Sequence, residues 1–215
     1  MRRESHVRFC EGAGVRFPRA TRRNIYVRSK AAGQRVMASV SAFLEGKLRL
    51  RVNRDKSAVA PVEERTFLGY RISAGGRLWI AHESWQRARE RVRQITRRNR
   101  GVSLSLMIHE LNESLSGWVT YFRQAEARHR LQKLDQWIRR KLRCVRLKQR
   151  KRVKPTADWL RSLGVPERRA WLLALSGKGW WRMAGSPQAA EAMTIQWFRD
   201  QGLLSLAERY ATLQH

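Results

Sequence analysis

The chain has 215 residues, of which 42% are hydrophobic and nine are tryptophan, a composition too apolar for a wholly disordered protein. Lysine and arginine total 46 against 17 acidic residues, which gives a formal net charge of +29. A compact fold with this charge repels itself unless a polyanion neutralises it. The sequence has no apolar run long enough to span a bilayer, so nucleic acid is the expected partner rather than a membrane.

The first residues and the cysteines bear on where the protein works. Met1 is followed by RRESHVRFCEG, which has no apolar stretch, so we expect no secretory signal peptide. Cys10 and Cys144 are too far apart for a metal-site spacing, and the five histidines are isolated, so the sequence predicts no metal site. A reducing cytoplasm is the expected location.

The N-terminal third predicts a strand and then a helix. Residues 1–23 have no sustained period and are predicted to be irregular. Alternation over Asn24–Arg28 predicts a strand, and Ser29 is expected to cap a helix that runs to about Leu50. The apolar positions of that helix, expected to be buried on one face, are Val36, Val40, Phe43, Leu44 and Leu48.

Three further strands are predicted before residue 82. Leu48, Leu50 and Val52 alternate with basic residues, which predicts one strand, and Thr66–Ser73 is predicted as another. Gly75-Gly76 predicts a hairpin turn into the returning segment RLWIA. Residues up to about Ala81 therefore form a predicted α+β unit.

From Glu83 onward the apolar period changes from two to 3.6, which predicts helices. Gly101 is expected to cap the C-terminus of the first helix, and Ser103 to begin the second. The three apolar stripes are Trp85, Ala88, Val92 and Ile95; Leu104, Met107, Ile108, Leu111, Leu115, Trp118, Val119 and Phe122; and Leu131, Leu134, Trp137, Ile138, Leu142 and Val145.

Shorter helical pieces are predicted after Pro155, with a glycine- and tryptophan-rich turn at GKGWWRMAGSP and a helical tail from Gln188. We expect residues 82–153 to form one helical domain and residues 154–215 a helical C-terminal extension.

The strongest chemical feature is the basic end of the third long helix, Trp137–Arg152. Nine of its last fourteen residues are lysine or arginine, and they are expected to lie off the apolar stripe. A helix packed on one side and cationic on the others is typical of phosphate-backbone contact, with a merely solvated surface as the alternative. The predicted RNA-binding residues here are Arg139, Arg140, Arg143, Arg146, Lys148, Arg150, Lys151 and Arg152.

A second basic cluster is TRRNRG, Thr96–Gly101, which supplies Arg97, Arg98 and Arg100 as candidate RNA-binding residues. Cations at a helix C-terminus also complement the helix dipole, so a structural role is an equal alternative.

Aromatic residues offer a possible surface for stacking bases. Trp118 and Phe122 are four apart on an apolar stripe, which favours a place in the core. Trp180-Trp181 lies beside Lys178 and Arg182, where it either contacts RNA or packs on the helices.

Several separated segments together resemble the reverse transcriptase/maturase proteins encoded by bacterial group II introns. The similar segments are NIYVRSKAAGQRVMASVSAFLEGKLRLRVNRDKSAV, RTFLGYRI, TRRNRGVSLSLMIHELNESLSGWVTYFR and LDQWIRRKLRC. The resemblance implies that residues 1–23 are a degenerate palm segment and residues 24–81 the last part of a polymerase palm. Residues 82–153 would be the maturase-specific thumb, or X domain. The implied α+β fold is a small palm-like β-α-β-β remnant before a mainly helical thumb.

The resemblance also implies an activity and partners. Members of the family bind their own intron RNA, assist its splicing and copy it into DNA with Mg²⁺. Lys56, in NRDKS, matches a lysine near the palm active site, and FLGY matches the strand that leads toward the thumb.

One departure from the family pattern limits the expected chemistry. Where the family carries Tyr-Ala-Asp-Asp before NIYV, this chain has Ala20, Thr21, Arg22 and Arg23. Those aspartates hold the two metal ions of polymerisation, and arginine repels cations. The chain alone is therefore expected to hold no metal and to lack polymerase activity.

Three hypotheses follow from the resemblance. In the first, the chain is a truncated maturase that binds group II intron RNA and assists splicing. In the second, it supplies a thumb to a separate fingers–palm chain that polymerises on RNA and meets a DNA target. In the third, it is a degenerate fragment without cellular use. A basic ribosomal or chromatin protein is disfavoured by the long apolar stripes.

Overall fold

The structure, a computed structural model, describes residues 5–10 and 22–214, with side chains described from Asn24 onward. The chain divides into two compact units, residues 1–81 and residues 82–215. The first unit combines strands with a helix, and the described part of the second is helical, which confirms the predicted α+β class.

Three antiparallel strands form the first sheet: β1 (Ser5–Cys10), β2 (Arg22–Val27) and β3 (Ala58–Pro61). β1 lies in the middle and pairs with both others. The prediction of irregular structure was therefore wrong for Ser5–Cys10. The alternation there is only six residues long, and the strand is held by two partners distant in sequence. Residues 1–4 and 11–21, including Ala20 and Thr21, lie outside the described residues.

The helix α1 (Lys30–Gly46) begins where the sequence predicts, because the Ser29 hydroxyl accepts a hydrogen bond from the Ala32 N–H at 3.2 Å. It ends before Leu50, and the predicted strand over Leu48–Val52 is absent from the described part of the chain. Arg49 has a φ of 53°, and the Leu50 N–H donates to the Leu44 carbonyl at 2.9 Å. The backbone therefore folds back on the helix end and does not extend.

The apolar face of α1 is less buried than predicted. Gly33 is the one buried residue of this helix, whereas Phe43 and Leu48 are each 51% exposed. The prediction of a buried face was wrong for these two side chains. Helical spacing shows which residues share a face, but it does not show what covers that face.

The second sheet contains β4 (Thr66–Phe67), β5 (Tyr70–Ile72) and β6 (Leu78–Ile80), paired in that order. The single predicted strand over Thr66–Ser73 was wrong, because the chain reverses at Leu68 and Gly69 with φ values of 51° and 79°. Two consecutive positive φ values are typical of a tight hairpin loop, and glycine was the available signal. The predicted turn at Gly75-Gly76 is confirmed by the pairing of Ile72 with Leu78.

The second unit is a set of nine helices within residues 82–214. Three long helices come first, α2 (His82–Ile95), α3 (Leu104–Tyr121) and α4 (Arg128–Arg150). Six shorter helices follow: α5 (Val153–Ser162), α6 (Glu167–Ala174), α7 (Trp180–Met183), α8 (Pro187–Ala192), α9 (Ile195–Asp200) and α10 (Leu206–Thr212). The predicted tryptophan-rich turn thus contains one helical turn, α7.

The long helices bury most of the stripes that the sequence predicts, although Trp118 and Trp137 are only half-buried. Val92, Leu111 and Leu142 are almost inaccessible to solvent. Ser103 caps α3 as predicted, accepting from the Leu106 N–H at 3.2 Å. The predicted cap at Gly101 was wrong, because α2 ends at Ile95 and Gly101, with a φ of 69°, belongs to the following loop.

The C-terminal segment is joined to the long helices by side chains that bond its backbone. The Asn112 amide of α3 donates to the Gly202 carbonyl at 2.7 Å and accepts from the Leu204 N–H at 3.0 Å. The Tyr210 hydroxyl of α10 donates to the Ala125 carbonyl at 2.6 Å. These contacts fix residues 202–210 against α3 and the loop that follows it.

Candidate nucleic-acid interface

The basic helix α4 is the element on which the candidate site is built. Its interior contains no glycine or proline, and apolar residues recur every three or four positions, so the sequence forms a continuous helix of 23 residues. Leu131, Leu134, Ile138, Leu142 and Val145 are buried as predicted. Trp137 is the exception, because it is only half-buried.

Arg143 points into the protein and not toward solvent. Its Nε and Nη2 donate to the Met193 carbonyl at 3.1 and 2.7 Å. Burial, followed by repulsion from Arg139, lowers the pKa of the Arg143 guanidinium. The sequence does not predict this contact, because the acceptor lies 50 residues further along the chain, and the RNA contact of Arg143 stays a prediction.

Arg140 has a similar internal role. Its Nη2 donates to the Trp181 carbonyl at 3.1 Å, and its Cζ lies 4.1 Å from the centroid of the Trp181 ring. Gly185 makes room for this side chain, since a Cβ there would lie 2.6 Å from Arg140 Nη2. Arg140 thus joins α4 to α7.

Arg146 and Arg150, here called the guanidinium pair, lie one turn apart on α4. Their Cζ atoms are 5.4 and 4.5 Å from the centroid of the Trp159 ring of α5. Burial, followed by repulsion from Arg146, lowers the pKa of Arg150. Among the described residues neither arginine takes part in an ion pair, and the Nε of each is buried without a hydrogen-bond partner. Two neighbouring cations without a carboxylate favour an anion from outside the chain.

The loop between α2 and α3 lies beside the end of α4. Lys148 Nζ donates to the Arg98 carbonyl at 3.1 Å, and Gln149 Nε2 donates to the Val102 carbonyl at 3.0 Å. The structure therefore brings together the two basic clusters that the sequence placed 50 residues apart. Arg97 and Arg98 are both exposed.

Arg100 has a structural role in this loop. It makes two hydrogen bonds of 2.7 Å with the Glu110 carboxylate and one of 2.8 Å with the Ile95 carbonyl. The hydrogen bond with Arg100 is the main cause that lowers the pKa of Glu110. Of the two alternatives for this residue, the structural one therefore fits its contacts.

The remaining candidates lie in three places. Lys151 and Arg152 are exposed at the turn between α4 and α5, where Lys151 has a φ of 57°. Arg139 is half-buried on α4. Lys56 is exposed in the first unit, where its N–H bonds the Asn53 side chain at 3.1 Å.

Sequence reasoning missed the partners of these cations. The sequence analysis gives no role to Trp159. This residue follows Arg146 and Arg150 by thirteen and nine positions, and it contacts them because the chain reverses between α4 and α5. Trp137 was assigned to the core, whereas Arg89 of α2 and Lys141 of α4 each lie 5.4 Å from its ring centroid.

The described residues contain no group of three or more histidine, cysteine, aspartate or glutamate side chains that could hold a metal ion. Within residues 22–214 no helix is both long and apolar enough to cross a membrane.

Residues 85–164 match the model of the group II intron maturase-specific domain, which spans α2 to the loop after α5 and includes the guanidinium pair. No curated protein sequence matches the chain.

Proposed function

We propose that the chain, whose residues 85–164 match the group II intron maturase-specific domain, binds intron RNA and assists its splicing. The proposed RNA contacts are the guanidinium pair, Arg97 and Arg98 of the neighbouring loop, and Lys151 and Arg152. The observation that carries the proposal is the guanidinium pair, which has two cations and, within the described residues, no carboxylate partner.

Phosphate contact explains why such a pair is stable in the bound state. Each arginine that neutralises a phosphate releases condensed counterions, which favours binding at low salt. The indole of Trp159 holds both guanidinium groups on one side. Their outer edges can then donate paired hydrogen bonds to phosphate oxygens.

Splicing assistance needs no chemistry from the chain in this proposal. A ligand that binds the active fold of an RNA more tightly than its misfolded forms shifts the population toward that fold. Phosphate contacts set the position of the protein on the RNA. The guanidinium pair would make them from α4, whose other face is buried in the hydrophobic core.

We also propose that the chain does not polymerise DNA by itself. The residues that the family resemblance places at the metal site are Ala20, Thr21, Arg22 and Arg23. None of these side chains is an anionic oxygen ligand, so this donor set does not fit Mg²⁺.

The test compares two double variants that remove the same charge. Arg146→Gln/Arg150→Gln removes the guanidinium pair, and Arg123→Gln/Arg168→Gln removes two exposed arginines outside α4. Affinity for a folded group II intron transcript is measured across a salt series by filter binding. We expect the first variant alone to bind more weakly, with its salt slope reduced by roughly one for each lost phosphate contact.

If both double variants lose the same affinity for the transcript, net charge alone explains the loss, and the proposed site is contradicted. Splicing of the same transcript at low Mg²⁺ concentration, with and without the protein, then tests assistance directly. An intron that splices equally well in both cases would contradict the maturase role.

A further inference from the structure

A cavity of about 300 Å³ lies between α2 and α4, at the opposite end of α4 from the guanidinium pair. Its volume is in the range of small-molecule sites. The residues that carry its chemistry are Trp85 and Arg89 of α2, with Arg130, Lys133 and Trp137 of α4.

The charge of the cavity selects an anion. Arg89, Arg130 and Lys133 line it, and no aspartate or glutamate is among the described residues that do so. Burial lowers the pKa of Arg130, whose Cζ lies 4.4 Å from the centroid of the Trp85 ring. A negatively charged group bound here would pair with these three cations.

The two indoles select a flat aromatic group. Trp137 is half-buried in a stripe whose other predicted members are buried, so part of its ring remains available in the cavity. Planar bases stack on such indoles and on guanidinium planes such as that of Arg130.

Trp85 supplies a second, independent indication. Trp85 is only 5% exposed, and its Nε1 is buried without a hydrogen-bond partner among the described residues. A buried indole N–H usually finds an acceptor, so its lack of one needs an explanation. A carbonyl or ring nitrogen of a base is an acceptor of the required kind.

We propose that this cavity binds one unpaired nucleotide of an RNA strand, with the base against the indoles and the phosphate on Arg130 and Lys133. The inference rests on the proposed function, because RNA supplies the nucleotide. It adds that the chain recognises a single-stranded position as well as a phosphate backbone. A base must leave its stack to enter, so the site favours loops, bulges and ends.

The first experiment uses the wild-type chain. A single-stranded oligonucleotide that carries one 5-iodouridine is crosslinked by ultraviolet light, and the attachment site is mapped by mass spectrometry. We expect the crosslink on the peptide that contains Trp137. A crosslink confined to peptides from residues 146–152 would overturn the proposal.

The second experiment uses Trp137→Leu and Lys133→Gln, with Arg123→Gln as the matched control for loss of one exposed cation. We expect Trp137→Leu to bind the single-stranded oligonucleotide about tenfold more weakly, from the loss of one stacked base. Lys133→Gln is expected to lose about twofold to threefold more than the control. Affinity for a blunt RNA duplex should be unchanged by Trp137→Leu.

The outcomes separate this inference from the proposed function. If the wild-type chain fails to bind intron RNA, but Trp137→Leu weakens its binding to the oligonucleotide, the proposed function is refuted and the nucleotide site in the cavity is supported. Wild-type affinity in both variants would refute the cavity alone. A nucleoside monophosphate that competes as well as the oligonucleotide would overturn RNA as the source, and equal competition by inorganic phosphate would overturn base stacking. Circular dichroism confirms folding, and Lys133→Gln decides the question if Trp137→Leu unfolds.

Discussion

The buried carboxylate of Asp135 in α4 accepts a hydrogen bond of 3.1 Å from the backbone N–H of Leu206, at the start of α10. The same carboxylate accepts from the Ala207 N–H at 3.1 Å and from the Ser205 hydroxyl at 3.2 Å. Asp135 therefore satisfies N–H groups that the first turn of α10 leaves without partners inside the helix.

Replacing Asp135 with alanine is expected to lower the free energy of unfolding by about 2 kcal/mol, because buried N–H groups of α10 lose their acceptor. Asp135→Asn keeps one acceptor oxygen and should cost less. Urea denaturation followed by far-ultraviolet circular dichroism measures both changes. Asp200→Ala, at an exposed carboxylate bonded only to Gln196 among the described contacts, is the control. Equal stability of Asp135→Ala and the control would refute the capping role.

The stability contributed by Asp135 should depend on pH with a defined sign. Burial raises the pKa of this carboxyl group, and the hydrogen bonds from α10 oppose the rise only in part. As pH rises from about 4, the ordinary value of an aspartate, the unfolded chain releases this proton before the folded chain does. The free energy of unfolding is then expected to fall until the pH passes the folded-state pKa. The difference between wild type and Asp135→Asn should follow this fall, and a difference that rises with pH would contradict it.

Arg143 and Arg139 are expected to behave differently although they lie one turn apart. Arg143→Gln removes two charged hydrogen bonds to the Met193 carbonyl and should cost about 2 kcal/mol of stability. Arg139→Gln should change stability by less than about 0.5 kcal/mol. Thermal unfolding of the two variants measures the contrast. If both melt with the wild type, the contact between α4 and Met193 contributes nothing to stability.

Gly185 and Arg140 should show non-additive effects. A methyl group at Gly185 would displace the Arg140 guanidinium and remove its contacts with Trp181. Gly185→Ala and Arg140→Gln are each expected to cost about 1 kcal/mol, and the double variant little more than either one. Urea denaturation of the four proteins forms the cycle. Costs that add fully would show that Gly185 is required for another reason.

Primer extension tests the expected lack of polymerase activity. The purified chain should extend no primer on an RNA template with Mg²⁺ or Mn²⁺, because Thr21, Arg22 and Arg23 supply no carboxylate for a two-metal site. Restoring aspartates at Thr21 and Arg22 is not expected to create activity. Templated synthesis that persists through repurification would overturn this expectation.

The elements predicted correctly from the sequence are those fixed by local signals. Ser29 and Ser103 cap their helices because a hydroxyl oxygen needs only an N–H three residues away. The stripes of α3 and α4 follow from helical period alone. The hairpin at Leu68-Gly69 was missed because leucine seldom adopts a positive φ.

The candidate site was predicted in part, and the errors have one physical cause. Composition and spacing identified α4 as the cationic helix, but the number of faces left open depends on what packs against it. Arg143 and Arg140 donate hydrogen bonds to carbonyls 50 and 41 residues away, and no local sequence pattern predicts these partners. The same limit hid Trp159, which the turn after α4 brings onto the guanidinium pair.

The ties between Asn112 of α3 and residues 202–204 set an order of events during synthesis. A ribosome releases α3 and α4 long before Gly202 and Leu204, which lie 90 and 92 residues after Asn112. Until then the Asn112 amide and the Asp135 carboxylate lack their hydrogen-bond partners in the C-terminal segment. The helical unit therefore completes its packing only after residues 202–204 have been synthesised, so α3 waits for a segment made much later than itself.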